Sequence, residues 1–241
     1  MTLLLDVGNT RVKAAVLEDG ALRHLGSAPY RARGVADTVD GLAPPDLDRA
    51  VVVVVAGPGV FSDLLAWAEG RGIRTERVSA SREAAGVRCA YPQPERLGAD
   101  RWAALVGARA RTGEACLVVD AGSAITVDAL AADGRHLGGF IIPGLALMAA
   151  SLHQGTGDLA AFSAASAPQS GSGFPTDTRP AIEQGALLAA AGLVRQAAER
   201  MPSPPEILLT GGDAEALAGF IGGASVVPAL VLEGLARLAG S

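Results

Sequence analysis

Leu4-Leu5-Asp6-Val7-Gly8-Asn9-Thr10, near the start of the chain, has a near copy at its middle, Val118-Val119-Asp120-Ala121-Gly122-Ser123-Ala124. In each, an apolar run ends in Asp, one small or apolar residue follows, then Gly, then short side chains that include hydroxyls. The run predicts a buried strand, and the Gly permits the tight reversal that brings backbone N–H groups toward a ligand oxygen. A carboxylate at the strand end can hold a cation, directly or through water, while the turn faces the phosphates that the cation neutralises. One Asp-x-Gly after an apolar strand reads equally well as an ordinary loop. Here the likeness continues: residues 3–27 and 117–140 both carry Val or Ile runs, an Asp-Gly reversal (Asp19-Gly20, Asp133-Gly134) and His-Leu-Gly. Independent loops have no reason to share flanking strands, so the repeat predicts a nucleotide clamp with one jaw from each half, suited to ATP with Mg²⁺.

Composition is compatible with this. The 241 residues suffice for two small, closely packed lobes, expected over 1–115 and 116–241. Hydrophobic residues make up 49% and charged residues 19%; no apolar run reaches spanning length, and no leader pattern of basic, apolar and small residues opens the sequence. A soluble cytoplasmic protein without a membrane partner is expected. Cys89 and Cys116 are the two cysteines and form no paired motif, which argues against a disulfide framework or a zinc site. A formal charge of −5 argues against broad nucleic-acid binding, though not against ATP, whose site depends on local donors and cations.

Along the chain, periodicity predicts three antiparallel strands over 3–28, a central strand over 51–55 after Pro44-Pro45, and a break at Gly57-Pro58-Gly59. A helix follows over 61–70 with Leu64, Leu65 and Ala68 on one side, then a strand over 73–78, a connecting loop over 80–98 and a helix over 100–111. The second lobe repeats with strands at 116, 125–130 and 136–142, then a helix ending near His153. A loop rich in Ser, Ala, Gly and Pro over 163–178 precedes a long helix over 179–200. A strand over 207–210 leads into Gly211-Gly212-Asp213, and a strand near Val226 precedes a helix over 229–238. The fold class expected is α/β: two lobes, each a mixed sheet flanked by helices.

The two turns, with Gly211-Gly212 after a late strand, resemble the acetate and sugar kinase, heat-shock and actin superfamily. The resemblance implies two ribonuclease-H-like lobes with an ATP cleft between them. Finer motifs resemble type III pantothenate kinase and span almost the whole chain. They are Asp6-Val7-Gly8-Asn9-Thr10-Arg11-Val12-Lys13, Tyr91-Pro92 ahead of Gly98-Ala99-Asp100-Arg101, and Asp120 through Asp128. Gly138-Gly139-Phe140-Ile141-Ile142-Pro143-Gly144 and Thr178 with Ala181-Ile182 and Gly185 complete the set. Two departures stand out. Ser123 replaces a Thr, keeping the hydroxyl and losing a methyl, and Ala160-Ala161 follow Leu159 where the family has a Pro.

The resemblance implies ATP-dependent phosphorylation of pantothenate to 4′-phosphopantothenate, the first step of coenzyme A biosynthesis, by a homodimer. It implies Asp100 as the base that readies the attacking hydroxyl, although a carboxylate there also suits a helix start. Arg101 would pair with the pantothenate carboxylate, with Tyr91, Gly98, Ala99 and Thr178 as further substrate contacts; Thr178 also reads as a helix N-cap. Asp6, Val7, Gly8, Asn9, Thr10, Arg11, Val12 and Lys13 would form the first phosphate loop, with Asp6 holding Mg²⁺ through water. Lys13 lies in a strand, so this is not a Walker loop. Ser123 would touch phosphate, and Asp120 would bind a monovalent cation, K⁺ or NH₄⁺. The apolar stretch from Trp102 to Val106 is compatible with a subunit interface. His24, His136 and His153 lack metal-ligand spacing and read as structural or surface residues. Two rivals remain, a phosphate hydrolase of the same superfamily and a nucleotide-binding regulator without kinase activity.

Overall fold

The structure, a computed structural model, describes residues 1–155 and 173–240. The chain divides into two compact units. One comprises Met1–Gly113 with Gly134–His136 and Ala229–Ser241; the other comprises Glu114–Asp133 with Leu137–Pro228.

In the first unit, β1 (Thr2–Val7), β2 (Arg11–Glu18) and β3 (Ala21–Pro29) are followed by α1 (Val35–Asp40), β4 (Arg49–Val54), α2 (Pro58–Glu69) and β5 (Arg74–Arg77). The sheet runs β3-β2-β1-β4-β5, antiparallel through β1–β2–β3 and parallel through β1–β4–β5. Leu3, Leu5 and Val7 share a face with Val12, Ala14, Val16, Val52 and Val54, and pack on Val35 and Val39 of α1 and Leu64, Trp67 and Ala68 of α2. Each Leu fully removed from water here contributes about 2 kcal/mol. The alternate residues Leu4, Ala15, Val51 and Val53 are equally buried, because α7 (Leu230–Ala239) packs on β1, β2 and β4. Burial on both faces explains why β4 is an unbroken β-branched run.

Several elements differ from expectation. Gly57-Pro58-Gly59 does not end the preceding strand so much as begin α2, with Pro58 in the first turn, where a missing N–H costs nothing. Trp67 rather than Leu65 completes the buried side of that helix. The loop over 80–98 contains a hairpin, β6 (Glu83–Ala84) and β7 (Val87–Arg88), closed by Ala85 and Gly86, both at positive φ, and a 3-10 turn at Pro94–Arg96. The short helix α1 gave no periodic signal.

Helix α3 (Ala99–Arg111) crosses α7 at Gly107 and Gly234. A methyl on Gly107 would run into the Leu230 carbonyl, and one on Gly234 into the Ala103 carbonyl, so the helices meet backbone to backbone. Trp102, Leu105 and Val106 are fully buried. The apolar face of that stretch is consumed within the unit, so these side chains do not form an exposed apolar surface.

The second unit repeats the plan. β8 (Cys116–Ala121), β9 (Ala124–Leu130) and β10 (His136–Pro143) are followed by α4 (Leu145–Gly155), α5 (Thr178–Glu199), β11 (Glu206–Thr210), α6 (Ala214–Ile221) and β12 (Ala224–Val226). The order β10-β9-β8-β11-β12 matches the first sheet strand for strand, again with an antiparallel and a parallel neighbour on the central strand. Leu117, Val119, Ile125 and Val127 pack on Leu187, Ala190, Ala191 and Val194 of α5 and on Leu217 of α6. Residues 163–172 of the predicted loop, and Ala160-Ala161, lie outside the described residues. Among the described residues no helix is long and apolar enough to cross a membrane.

Candidate active site

The first turn follows directly from the register of β1 on β2. Val7 pairs with Val12 and Asp6 with Lys13, leaving Gly8-Asn9-Thr10-Arg11 as the connection. Gly8 N donates to Arg11 O at 3.0 Å, which closes it. Cross-strand partners point to the same face, so Lys13 stands over Asp6, Nζ to Oδ2 at 3.9 Å. Asp6 is only 8% exposed, while Asn9, Thr10 and Arg11 form an exposed rim. Three side chains brace this rim. The Tyr30 hydroxyl donates to Gly8 O at 2.8 Å, Arg31 Nε donates to Asn9 O at 3.3 Å, and the Arg11 guanidinium donates to Ser27 Oγ and O.

The same unit assembles Tyr91, Gly98, Ala99, Asp100 and Arg101 around the start of α3. Gly98 is the N-cap and its carbonyl accepts from Trp102 N at 2.9 Å. Asp100 therefore lies in the first turn rather than at the cap, and its Oδ1 accepts from Arg101 N at 2.8 Å, at the positive end of the helix dipole. A Cβ on Gly98 would stand 2.6 Å from Asp100 Oδ1. The glycine of Gly-Ala-Asp-Arg thus leaves room for the carboxylate two residues on. Arg101 is 6% exposed, donates from a terminal nitrogen to the Tyr91 hydroxyl at 3.2 Å, and lies 5.9 Å from the centre of that ring. Arg82 grips the same loop as a fork, donating to the Tyr91 carbonyl at 3.0 Å and the Pro92 carbonyl at 2.7 Å.

In the second unit Ala121 pairs with Ile125 and Asp120 with Thr126, so this turn is shorter by one residue than the first. Gly122 N donates to Ala124 O at 3.0 Å, the counterpart of the first closure. Glycines clamp it from two sides. Gly144, just before α4, donates to Ser123 O at 3.1 Å and lies so close to the Gly122 carbonyl that no Cβ would fit. Gly211, at φ +96°, is pressed on the Ala121 carbonyl and the Asp120 carboxylate. Asp213 N donates to Ala121 O at 2.9 Å, and burial pushes the Asp213 carboxyl above its ordinary value. Ser123 is exposed at the tip. Thr178 is the first residue of α5 and exposed, but the cap is Asp177, whose side chain accepts from Arg179 N at 3.1 Å. Its reading as an N-cap is thereby corrected.

Asp6 through Lys13 form one group and Tyr91 with Gly98 to Arg101 a second, both in the first unit, whereas Asp120, Ser123 and Thr178 belong to the other unit. The model of the type III pantothenate kinase family matches residues 2–200. The chain is a member of that family. The type III pantothenate kinase of Azoarcus sp. (strain BH72) is 41% identical over 99% of this chain and 90% of its own length. Two solved structures share the fold. A protein described as a Baf family transcriptional activator from Campylobacter jejuni has a TM-score of 0.64 at 24% identity, covering 99% of this chain and 97% of its own. The activator of 2-hydroxyisocaproyl-CoA dehydratase from Clostridium difficile has a TM-score of 0.55 at 17% identity, covering 99% and 93%.

Sequence reading overlooked two residues beside this site. Arg82 gave no signal because its partners are backbone carbonyls nine and ten residues on. His136 lacks metal-ligand spacing, yet it is 3% exposed and stacks on Tyr91, with ring centres 6.0 Å apart and planes 16° apart.

Proposed function

We propose that this chain transfers the γ-phosphoryl group of ATP to the terminal hydroxyl of pantothenate, giving 4′-phosphopantothenate for coenzyme A biosynthesis. The observation that carries the reading is the arrangement at the start of α3 in a member of this kinase family: a carboxylate on the first turn beside a buried arginine and a tyrosine hydroxyl. Asp100 takes the proton from the pantothenate hydroxyl as its oxygen forms the new bond to phosphorus and the bridging bond to ADP breaks. Arg101, whose guanidinium also donates to the Tyr91 hydroxyl, faces the pantothenate carboxylate. Gly98 and Ala99 line the approach to Asp100, and Thr178 carries an exposed hydroxyl suited to a substrate contact.

Each of the two turns is suited to ATP phosphate. The dehydratase activator of the same fold was solved with ADPNP bound, which supports a nucleotide role for this scaffold. On the first turn Val7, Gly8, Asn9, Thr10, Arg11 and Val12 offer amides and short side chains and Lys13 a cation; on the second Ser123 offers a hydroxyl. Among the described residues no cluster of three or more His, Cys, Asp or Glu could cage a metal. Mg²⁺ keeps its waters and phosphate oxygens and needs one or two carboxylates; Asp6 would hold it through water, and it would neutralise phosphate charge. The Asp120 carboxylate on a turn rich in carbonyl oxygens suits a large, weakly held monovalent cation, K⁺ or NH₄⁺. A cytoplasmic homodimer completes the reading.

The test is ADP release by the pure protein with ATP, Mg²⁺ and K⁺, with and without pantothenate. Pantothenate-dependent ADP supports the kinase; pantothenate-independent ADP would make it a hydrolase, and no ADP a regulator. Asp100→Asn should keep the fold and ATP binding and lose most turnover, about a thousandfold for a positioned base with its charge removed. A fully active variant would remove Asp100 from this role.

A further inference from the structure

We infer that His136 is a positioning residue for the acceptor substrate: it holds the Tyr91 ring, and through Tyr91 the guanidinium of Arg101. This rests on the reading of Tyr91 and Arg101 as pantothenate contacts. His136 is among the most buried polar side chains of the described residues, and it reaches the first unit on the short segment Gly134–His136. Backbone contacts fasten the start of that segment. Arg88 N donates to Gly134 O at 2.9 Å, and Gly134, at positive φ, packs so tightly on the Gly86 carbonyl that no side chain would fit there. The imidazole is therefore delivered to a fixed place.

Two contacts tie it to the substrate loop. Its ring lies nearly parallel to Tyr91, and its Nδ1 accepts from Ala90 N at 3.5 Å, the amide just before the tyrosine. The far edge of Tyr91 carries the hydroxyl that Arg101 reaches at 3.2 Å. Histidine, tyrosine and arginine thus form a tier of flat groups whose last member meets the substrate anion, and Arg82 fixes only the backbone beneath. A flat aromatic neighbour restricts a half-buried ring that otherwise rotates about two torsions. Loss of that restriction weakens acceptor binding while leaving the phosphate turns untouched.

The experiment compares His136→Gln, which removes the ring but keeps an acceptor for Ala90 N, with His136→Phe, which keeps a flat ring and loses the acceptor. Tyr91→Ala and the Tyr91→Ala/His136→Gln double variant complete the cycle, with Tm measured for each. His136→Gln should raise KM for pantothenate about tenfold, leaving KM for ATP and kcat within about twofold, and His136→Phe should stay near wild type. On the Tyr91→Ala background His136→Gln should add nothing. A merely structural histidine would lower Tm and the active fraction without moving KM, and that pattern overturns the inference. So does an unchanged pantothenate KM in His136→Gln while Tyr91→Ala raises it. If Tyr91→Ala itself leaves that KM unchanged, the assignment of Tyr91 to the substrate has failed and this inference falls with it.

Discussion

The turn after β1 and the turn after β8 occupy the same position in sheets of the same strand order, yet they are finished differently. Opposite Asp6 stands Lys13; opposite Asp120 stands Thr126. The first connection is longer by a residue, exposes Asn9, Thr10 and Arg11, and is braced from outside by Tyr30, Arg31 and Ser27. The second is gripped by the backbones of Gly144 and Gly211. A cation stands beside the first carboxylate, in a setting shielded from water that strengthens the attraction, and on the proposed function this turn takes phosphate and its divalent ion. A hydroxyl stands beside the second carboxylate, the one to which the proposed function gives a monovalent cation. On that reading one scaffold carries two electrostatic roles, decided by the residue across the ladder.

If that division holds, charge removal should hurt the turns unequally. Asp6→Asn should lower kcat/KM for ATP about a thousandfold, the scale of a lost electrostatic contact to a transferring phosphoryl group. Asp120→Asn should cost about tenfold at saturating K⁺ and shift half-saturation by K⁺ upward. Steady-state rates over a K⁺ titration check both. Equal losses, or a K⁺ dependence that moves with Asp6 instead, would erase the distinction.

The two glycine environments give the next contrast. Gly8 has only Arg11 O within reach of a would-be Cβ, at 3.6 Å, so Gly8→Ala should cost under about 1 kcal/mol. Gly211 combines positive φ with a backbone collision at Ala121, so Gly211→Ala should cost about 3 kcal/mol and displace the second turn. Urea denaturation measures both, and a small loss at Gly211 would mean that this clamp yields.

A smaller effect tests the external brace of the first turn. Tyr30→Phe deletes the hydroxyl that Gly8 O accepts from, with the ring still packed in the core, and should cost about 1 kcal/mol. KM for ATP should rise modestly, because the rim loses one of its fastenings. An unchanged KM would show that Arg11 and Arg31 alone set the rim.

How much of this was legible in the chain follows from range. The paired turns and their hairpins were readable because their partners lie within some twenty residues and alternate cleanly, as Asp6 and Lys13 do. Gly-Ala-Asp-Arg was readable as a helix start because helix signals are local. The pairing of Gly107 with Gly234 was not: each is a glycine inside a helix, and only the crossing shows why no side chain is permitted. For the same reason the sequence does not show that Trp102 and Val106 are buried within the unit. Helices α1 and α6 were missed because six and eight residues hold too few turns for a period to emerge. His136 was missed because its meaning lies in a stacking partner 45 positions earlier, for which no spacing rule exists.

The least of the expected effects concerns Asp213, which follows the Gly-Gly pair and donates its amide to the second turn. Burial raises its carboxyl above the ordinary value of 3.8, so the folded chain holds that proton more tightly than the unfolded one. Stability therefore falls as pH rises from the unfolded value through the raised folded value, and above that window the cost of a buried charge is constant. Asp213→Asn removes the charge while keeping a residue suited to the start of α6. It should raise Tm by about 1 °C at pH 7, a small step for a chain of this length. At pH 3, where the carboxyl is protonated in both states, the gain should vanish. A gain of equal size at both pH values would locate the effect in packing or capping, and the charge at Asp213 would then count for nothing in the balance between the two turns.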